Sequence, residues 1–228
     1  MMRTKERTNR TGRGIRSITK ATMAFLFTIC LFFVPNMQLG ASSITFTGGY
    51  TKVSMQEGNR KVNLSQGATI TADSLSIEAQ EIELYGADYR YVNCKGKVVA
   101  KDEGRGISLQ CPSLFYDRES GEIVSDGWVE IQDETNDATL SGARLEYDTQ
   151  STLIKVQMMA RVVKSTDDGL MVCRADSIEF DNAGQTVTLK GNASIDWNGN
   201  VYKASVIIVD LTDYGITMEG SISGEVNG

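Results

Sequence analysis

Five acidic residues recur along this chain, each behind a similar six-residue lead. They close the segments Ala72–Glu78 (ADSLSIE), Cys111–Asp117 (CPSLFYD), Gly142–Asp148 (GARLEYD), Ala175–Asp181 (ADSIEFD) and Ala204–Asp210 (ASVIIVD). Carboxylates at regular intervals could bind calcium. Each is expected to end a strand beside a turn, where aspartate is favoured because its side chain bonds nearby backbone amides, so turn chemistry is the expected role. Histidine is absent, which removes the commonest general base and the commonest zinc ligand. Cys94, Cys111 and Cys173 have neither metal-site spacing nor the even count of a disulfide framework. Buried free thiols are expected, with one bridged pair as the alternative in an oxidising compartment. No nucleophile stands with a base, and no glycine-rich loop opens a helix. The expectation is no enzyme, no catalytic residue, no metal and no cofactor.

The first forty residues bear on location. Arg3, Lys5, Arg7, Arg10, Arg13, Arg16 and Lys20 face one acid, Glu6, and an apolar run follows from Ala21 to Pro35. This is the outline of a secretory signal peptide. The run is shorter than the ~20 residues of a membrane span, and small residues follow at Gly40, Ala41, Ser42 and Ser43. Residues 1–41 are read as the signal peptide and 42–228 as the mature domain, an uncleaved anchor being the alternative. Cys30 is a poor lipidation site, because bulky Ile29 precedes it and apolar sequence continues beyond it. Taking the segment's seven bases and one acid from the chain's 23 and 29 leaves 16 and 28, a net of −12. Nucleic acid and anionic membrane surfaces reward clustered Lys and Arg and are not expected partners.

The recurring acids belong to longer units. From the second copy to the fifth they are 31, 33 and 29 residues apart, a period that signals repetitive architecture. A second half-motif follows each acid: apolar residues at six and eight positions on, glycine at ten, apolar again at twelve and fourteen. After Asp181 this gives Val187, Leu189, Gly191, Ala193 and Ile195; after Asp148, Met158 stands where the glycine would be. The first copy carries an apparent eight-residue insertion around Leu84 to Tyr91 and resumes at Gly96. Such period-two patterns place the apolar set on one face of each strand, and turn residues about every fifteen positions predict hairpins. Pro112 is expected at a strand start. The glycines at Gly96, Gly127, Gly191 and Gly220 share the parity of the inward residues in mid-strand, where glycine weakens a strand unless the backbone must bend. They read as creases, with an ordinary sandwich bulged at glycine as the alternative.

At these residues the sequence resembles the LptA/OstA family of periplasmic lipopolysaccharide-transport proteins. The resemblance rests on L-x-Y-D followed by G-x-V, as in Leu114, Tyr116, Asp117, Gly127 and Val129, or Leu145, Tyr147 and Asp148, and it spans residues 45 to 226. It implies an all-β fold, a long antiparallel meander forming an open, creased β-jellyroll (β-taco) with an apolar groove. It further implies a periplasmic location and lipopolysaccharide or another glycolipid as cargo. The implied partners are an inner-membrane relay subunit, an outer-membrane translocon and further copies of the chain joined end to end. The groove is expected to be lined by Leu75, Ile77, Leu114, Tyr116, Val129, Ile131, Leu145, Tyr147, Ile178, Phe180, Ile195 and Ile207. A filled core is the plainer role of each residue taken singly. An exported β-repeat scaffold or adhesin, and a membrane-anchored relay subunit of the same system, are the competing functions. The segment Ile216 to Val226 carries little charge and no proline, and is expected to add strands to a neighbour.

Overall fold

A computed structural model describes residues 43–56 and 59–227; the expected signal segment, residues 1–41, lies outside them. The strands are β1 Ile44–Gln56, β2 Asn59–Ala72, β3 Leu75–Tyr85, β4 Tyr91–Asp102, β5 Ile107–Asp117, β6 Glu122–Asp133, β7 Ala138–Asp148, β8 Leu153–Thr166, β9 Gly169–Asp181, β10 Thr186–Trp197, β11 Asn200–Asp210, β12 Ile216–Glu219 and β13 Ser223–Glu225. Each pairs antiparallel with its neighbours in sequence, from β1 through β12, and β13 returns to β11. β1 and β12 do not pair, so the sheet is an open meander. Its alternating burial follows from the period-two sequence, because successive side chains on a strand point to opposite faces.

Every even-numbered strand from β2 to β10 carries one residue more than its odd neighbours at mid-length. In β8, Met158 and Met159 stand against Asp176 alone, between the pairs Gln157↔Ser177 and Ala160↔Ala175. Gly191 and Asn192 of β10 oppose Ser205, Gly127 and Trp128 of β6 oppose Ala143, and Gln66 and Gly67 of β2 oppose Gln80. In β4, Gly96 and Lys97 oppose Pro112. Such two-against-one bulges bend a strand and raise its twist. At most of them both residues are left-handed: Met158 and Met159 have φ of 59° and 61°, Gly191 and Asn192 of 77° and 49°. β12 and β13 are the halves of a last even strand, interrupted at Gly220 and Ser221, both left-handed.

These bends fold the sheet across its strands. An eleven-residue strand is about 36 Å long, so the two rows of turns at its ends would be that far apart in a flat sheet. Instead Asp73, in the turn after β2, accepts hydrogen bonds from Tyr116 Oη at the far end of β5 (3.1 Å) and from Arg118 Nε (3.2 Å). Asn136, in the turn after β6, donates to Asn182 after β9 (3.1 Å). The two rows meet along a seam, and the inward face closes over one core running from Val62 to Leu211.

Two details differ from expectation. Pro112 lies in the middle of β5, opposite the β4 bulge, where the register is already broken and a missing N–H costs no ladder bond. The first repeat copy falls at Ala79–Tyr85 (AQEIELY), thirty-two residues before Asp117. The expected insertion is simply the end of β3, a 3₁₀ turn at Ala87–Tyr89 and the start of β4. Ala72–Glu78 shares letters with the repeat but straddles a turn and the other half of β3, so Glu78 ends no strand.

A left-handed L-residue costs about 1–2 kcal/mol, against about 0.5–1 kcal/mol for glycine's extra chain entropy. Met158→Gly should therefore raise stability slightly, by up to about 1 kcal/mol. Gly191→Ala, whose Cβ would collide with the Asp176 carboxylate at φ 77°, should lower it by about 1–2 kcal/mol. Urea midpoints measured at unchanged m-value check both.

Candidate functional site

All twelve residues expected to line a groove lie on the inward face, and none is more than 3% exposed. They come from both sides of the crease. Leu75 and Ile77 precede it on β3, Val129 and Ile131 follow it on β6, and Ile195 follows it on β10. Leu114 and Tyr116, Leu145 and Tyr147, Ile178 and Phe180, and Ile207 follow it on the odd strands. Gly96, Gly127 and Gly191 sit at the bulges, and Gly220 at the β12–β13 break. In this state the side chains pack against one another. The void beside Leu75, Ile131, Leu145 and Tyr147 is only about 10 Å³, about the size of one water-sized probe.

The seam that closes this interior is polar and graded along its length. At its first rung Asp73 is bonded by Tyr116 and, through both carboxylate oxygens, by Arg118 (3.2 and 3.3 Å). At the second, Asp102 is 1% exposed. Its Oδ2 takes Ser74 Oγ (3.1 Å) and Arg105, while its Oδ1 and the hydroxyl of Tyr147 are buried without a hydrogen-bond partner. Both residues line the small void. Tyr147 occupies the place that Tyr116 holds one repeat earlier, so this rung repeats the first with its cross-seam bond unmade. At the third, Asp133 is 2% exposed and accepts Asn136 N (3.0 Å), Asn136 Nδ2 (2.9 Å) and Asn182 Nδ2 (3.0 Å). Lys164 Nζ donates to the carbonyl of Asn136. Burial of the Tyr147 hydroxyl pushes its pKa up to about 12, so it stays protonated.

The recurring acids at the strand ends do the turn chemistry expected of them at four positions. Asp117 accepts Glu119 N and Ser120 N, Asp148 accepts Gln150 N and Ser151 N, Asp181 accepts Gly184 N and Asp210 accepts Thr212 N. The Arg90 guanidinium hydrogen-bonded to Asp117 holds that carboxyl below its ordinary value of 3.8. The Ser151 and Thr212 hydroxyls do the same for Asp148 and Asp210. Cys94, Cys111 and Cys173 are buried and unbridged; desolvation pushes the Cys94 and Cys173 thiols up to about 12. That suppresses the thiolate, the reactive form.

A feature outside the expected set lies at the β1 end. Ile44, Phe46, Val53 and Met55 pair opposite inward or flanking residues of β2, yet Phe46, Val53 and Met55 are 42%, 44% and 70% exposed. With Val62, Leu84, Tyr89, Arg60 and Arg118 they bound a pocket of about 410 Å³, within the range of small-molecule sites. The alternation Ile44/Phe46 and Val53/Met55 is its sequence signal, interrupted by Gly48-Gly49, where the register to β2 breaks.

Residues 154–214, from β8 to the turn after β11, match the family model described as LptA/(LptD N-terminal domain) LPS transport protein. The fold is similar to the crystal structure of LptH from Pseudomonas aeruginosa, described as the LptA-homologous periplasmic component of a lipopolysaccharide transport device. That match has a TM-score of 0.51 at 16% identity and covers 56% of this chain and 99% of that one. No curated protein matches the chain. The creased meander is thus the β-jellyroll of LptA-like proteins.

Two tyrosines in equivalent places should behave oppositely. Tyr116→Phe loses a bond to Asp73 and should cost about 1 kcal/mol, whereas Tyr147→Phe removes an unpartnered buried hydroxyl and should be neutral or stabilising by about 1 kcal/mol, both read by chemical denaturation. Folded carboxyls held below 3.8 contribute stability that is complete above that pH and lost as pH falls through their folded values. The melting temperature should therefore fall below about pH 4, and less steeply in Asp117→Asn than in the parent.

Proposed function

We propose that this LptA-like chain is a periplasmic carrier that passes lipopolysaccharide, or a related glycolipid, from the inner to the outer membrane through its apolar interior. The observation that carries the reading is the apolar face running continuously across strands β2 to β11 of a sheet that is LptA-like in fold, within which residues 154–214 match the transport family. That matched segment contributes Ile178, Phe180, Ile195 and Ile207 to the lining.

The physical case rests on solvation. An acyl chain of twelve carbons leaving a bilayer exposes apolar surface at about 0.8 kcal/mol per CH₂, roughly 10 kcal/mol in all. A carrier must cover that surface continuously while leaving the polar head in water. A sheet folded lengthwise does both, because its inner face is apolar and its mouth is polar. The open edges of β1 and of β12–β13 are the surfaces that would take an inner-membrane relay subunit, an outer-membrane translocon or another copy of the chain, by strand addition. No step of this reading needs a catalytic residue, a metal or a cofactor.

The packed interior favours a second reading, a filled β-repeat scaffold, and one experiment separates the two. A photoreactive residue at position 147 or 180 should capture glycolipid in cells, identified by mass spectrometry of the adduct. Adducts from outward positions alone, with none from any inward position, would overturn the carrier reading.

A further inference from the structure

We propose that the interior opens sideways, along the polar seam, to admit its acyl cargo, and that the Asp133–Asn136–Asn182 cluster is the clasp of that opening. The inference rests on the carrier reading for its cargo, but its geometry is independent of it.

The interior has three kinds of boundary. Its walls are the antiparallel ladders, continuous from β1 to β12 and broken only by the bulges at the crease. Its ends are the open strands β1 and β12. Its mouth is the seam, and among the described residues no backbone–backbone hydrogen bond crosses it. The remaining turn-to-turn backbone bonds join turns of the same row, as Glu134 N to Gly106 O and Thr149 N to Gly121 O do. Among the described residues only side-chain contacts cross the seam: the bonds of Asp73 with Tyr116 and Arg118 and of Asp133 and Asn136 with Asn182, and the rings of Trp197 and Tyr214, 5.5 Å apart. Parting the mouth therefore leaves every ladder intact and pivots on the creases.

Sliding in from an end meets a different obstacle. The pocket at β1 is roomy, at about 410 Å³, but the core beyond it holds a void of only about 10 Å³ beside Leu75, Leu145 and Tyr147. A chain threading end-on would have to displace the packed residues one after another, and its polar head would have to cross the same dry interior. Parting the seam admits the chain with its head still in water. The rungs also differ in the sense a gate requires. The second, Asp102 with Tyr147, lacks its cross-seam bond, so the third, where Asp133, Asn136 and Asn182 are mutually bonded, holds the middle of the mouth shut.

The buried thiols supply a reporter that needs no lipid. Cys173 on β9 is 0% exposed, pairs with Val162 and Ile195, and is unreactive while covered. In the Asn136→Cys/Asn182→Cys variant, a short, reducible bis-methanethiosulfonate linker would tie the two rows together. A control linker between Glu119→Cys and Gln150→Cys joins neighbouring turns of one row. Alkylation of Cys173 by N-ethylmaleimide, followed on its peptide by mass spectrometry, should slow at least tenfold with the cross-seam link, recover on reduction, and change less than twofold with the control. Asn182→Ala should speed it severalfold at an unchanged rate of global unfolding. Unaltered labelling in the cross-linked protein would overturn the clasp. Uptake of a fluorescent dodecanoyl probe separates the two layers of the argument. Uptake by the reduced form, blocked by the cross-seam link, supports both. Equal uptake by linked and reduced forms refutes the seam as the route. No uptake by either form, with Cys173 still protected by the link, refutes the carrier reading and leaves the gate standing.

Discussion

The fold depends on one extra residue at the middle of each even-numbered strand. Because the surplus always lies on the same set of strands, every bulge bends the sheet in the same direction, and the bends align into one crease. It also sets which residues face inward. On an even strand the inward positions skip four across the crease, as from Cys94 to Val98; on an odd strand they skip three, as from Cys111 to Leu114. The apolar face stays continuous although the two strands differ in length by a residue. Without that mismatch the sheet would be flat, its rows of turns about 36 Å apart, and its apolar face would lie open to water.

Much of this was written locally in the sequence. Alternation of apolar and polar residues marks a half-buried strand unambiguously, and the inward residues from Leu75 to Ile207 followed from it. Glycine at Gly96 and Gly191 reads as a bend because a left-handed backbone excludes most side chains. Where other residues accept that conformation the letters carry no such sign: the crease at Met158–Met159 shows in the sequence only as a gap in the repeat, and the one at Gln66, ahead of the first copy, does not show at all. The first copy was misplaced by seven residues because Ala72–Glu78 imitates the motif across a turn. Nothing local distinguishes it from Ala79–Tyr85 except the partner strand.

The seam was not legible at all, for a physical reason. Its bonds join residues 43 to 49 positions apart, and each is made by a polar side chain that would look the same on a solvated turn. What makes Asp133 a buried acceptor and not a surface aspartate is the arrival of Asn182 from the opposite row, a consequence of folding at the crease. The strand-end acids are the contrast: Asp117 and Asp148 bond amides two and three residues on, so their role could be read from sequence alone.

Polar seam and apolar interior divide the energetics between them. Holding the apolar face open in water would cost about 1.5–3 kcal/mol for each large side chain exposed, so the interior closes on itself. A hydrogen bond across the seam contributes only about 1 kcal/mol net, because its partners regain water when it breaks. The dominant cost of opening is therefore the separation of apolar surfaces, and under the proposed carrier function an inserted acyl chain would offset that cost by covering the same surfaces. In such a carrier the fit of the chains within the core would set how tightly a cargo is held. The side chains along the mouth would then set how often, and along which stretch, the core becomes available to receive it.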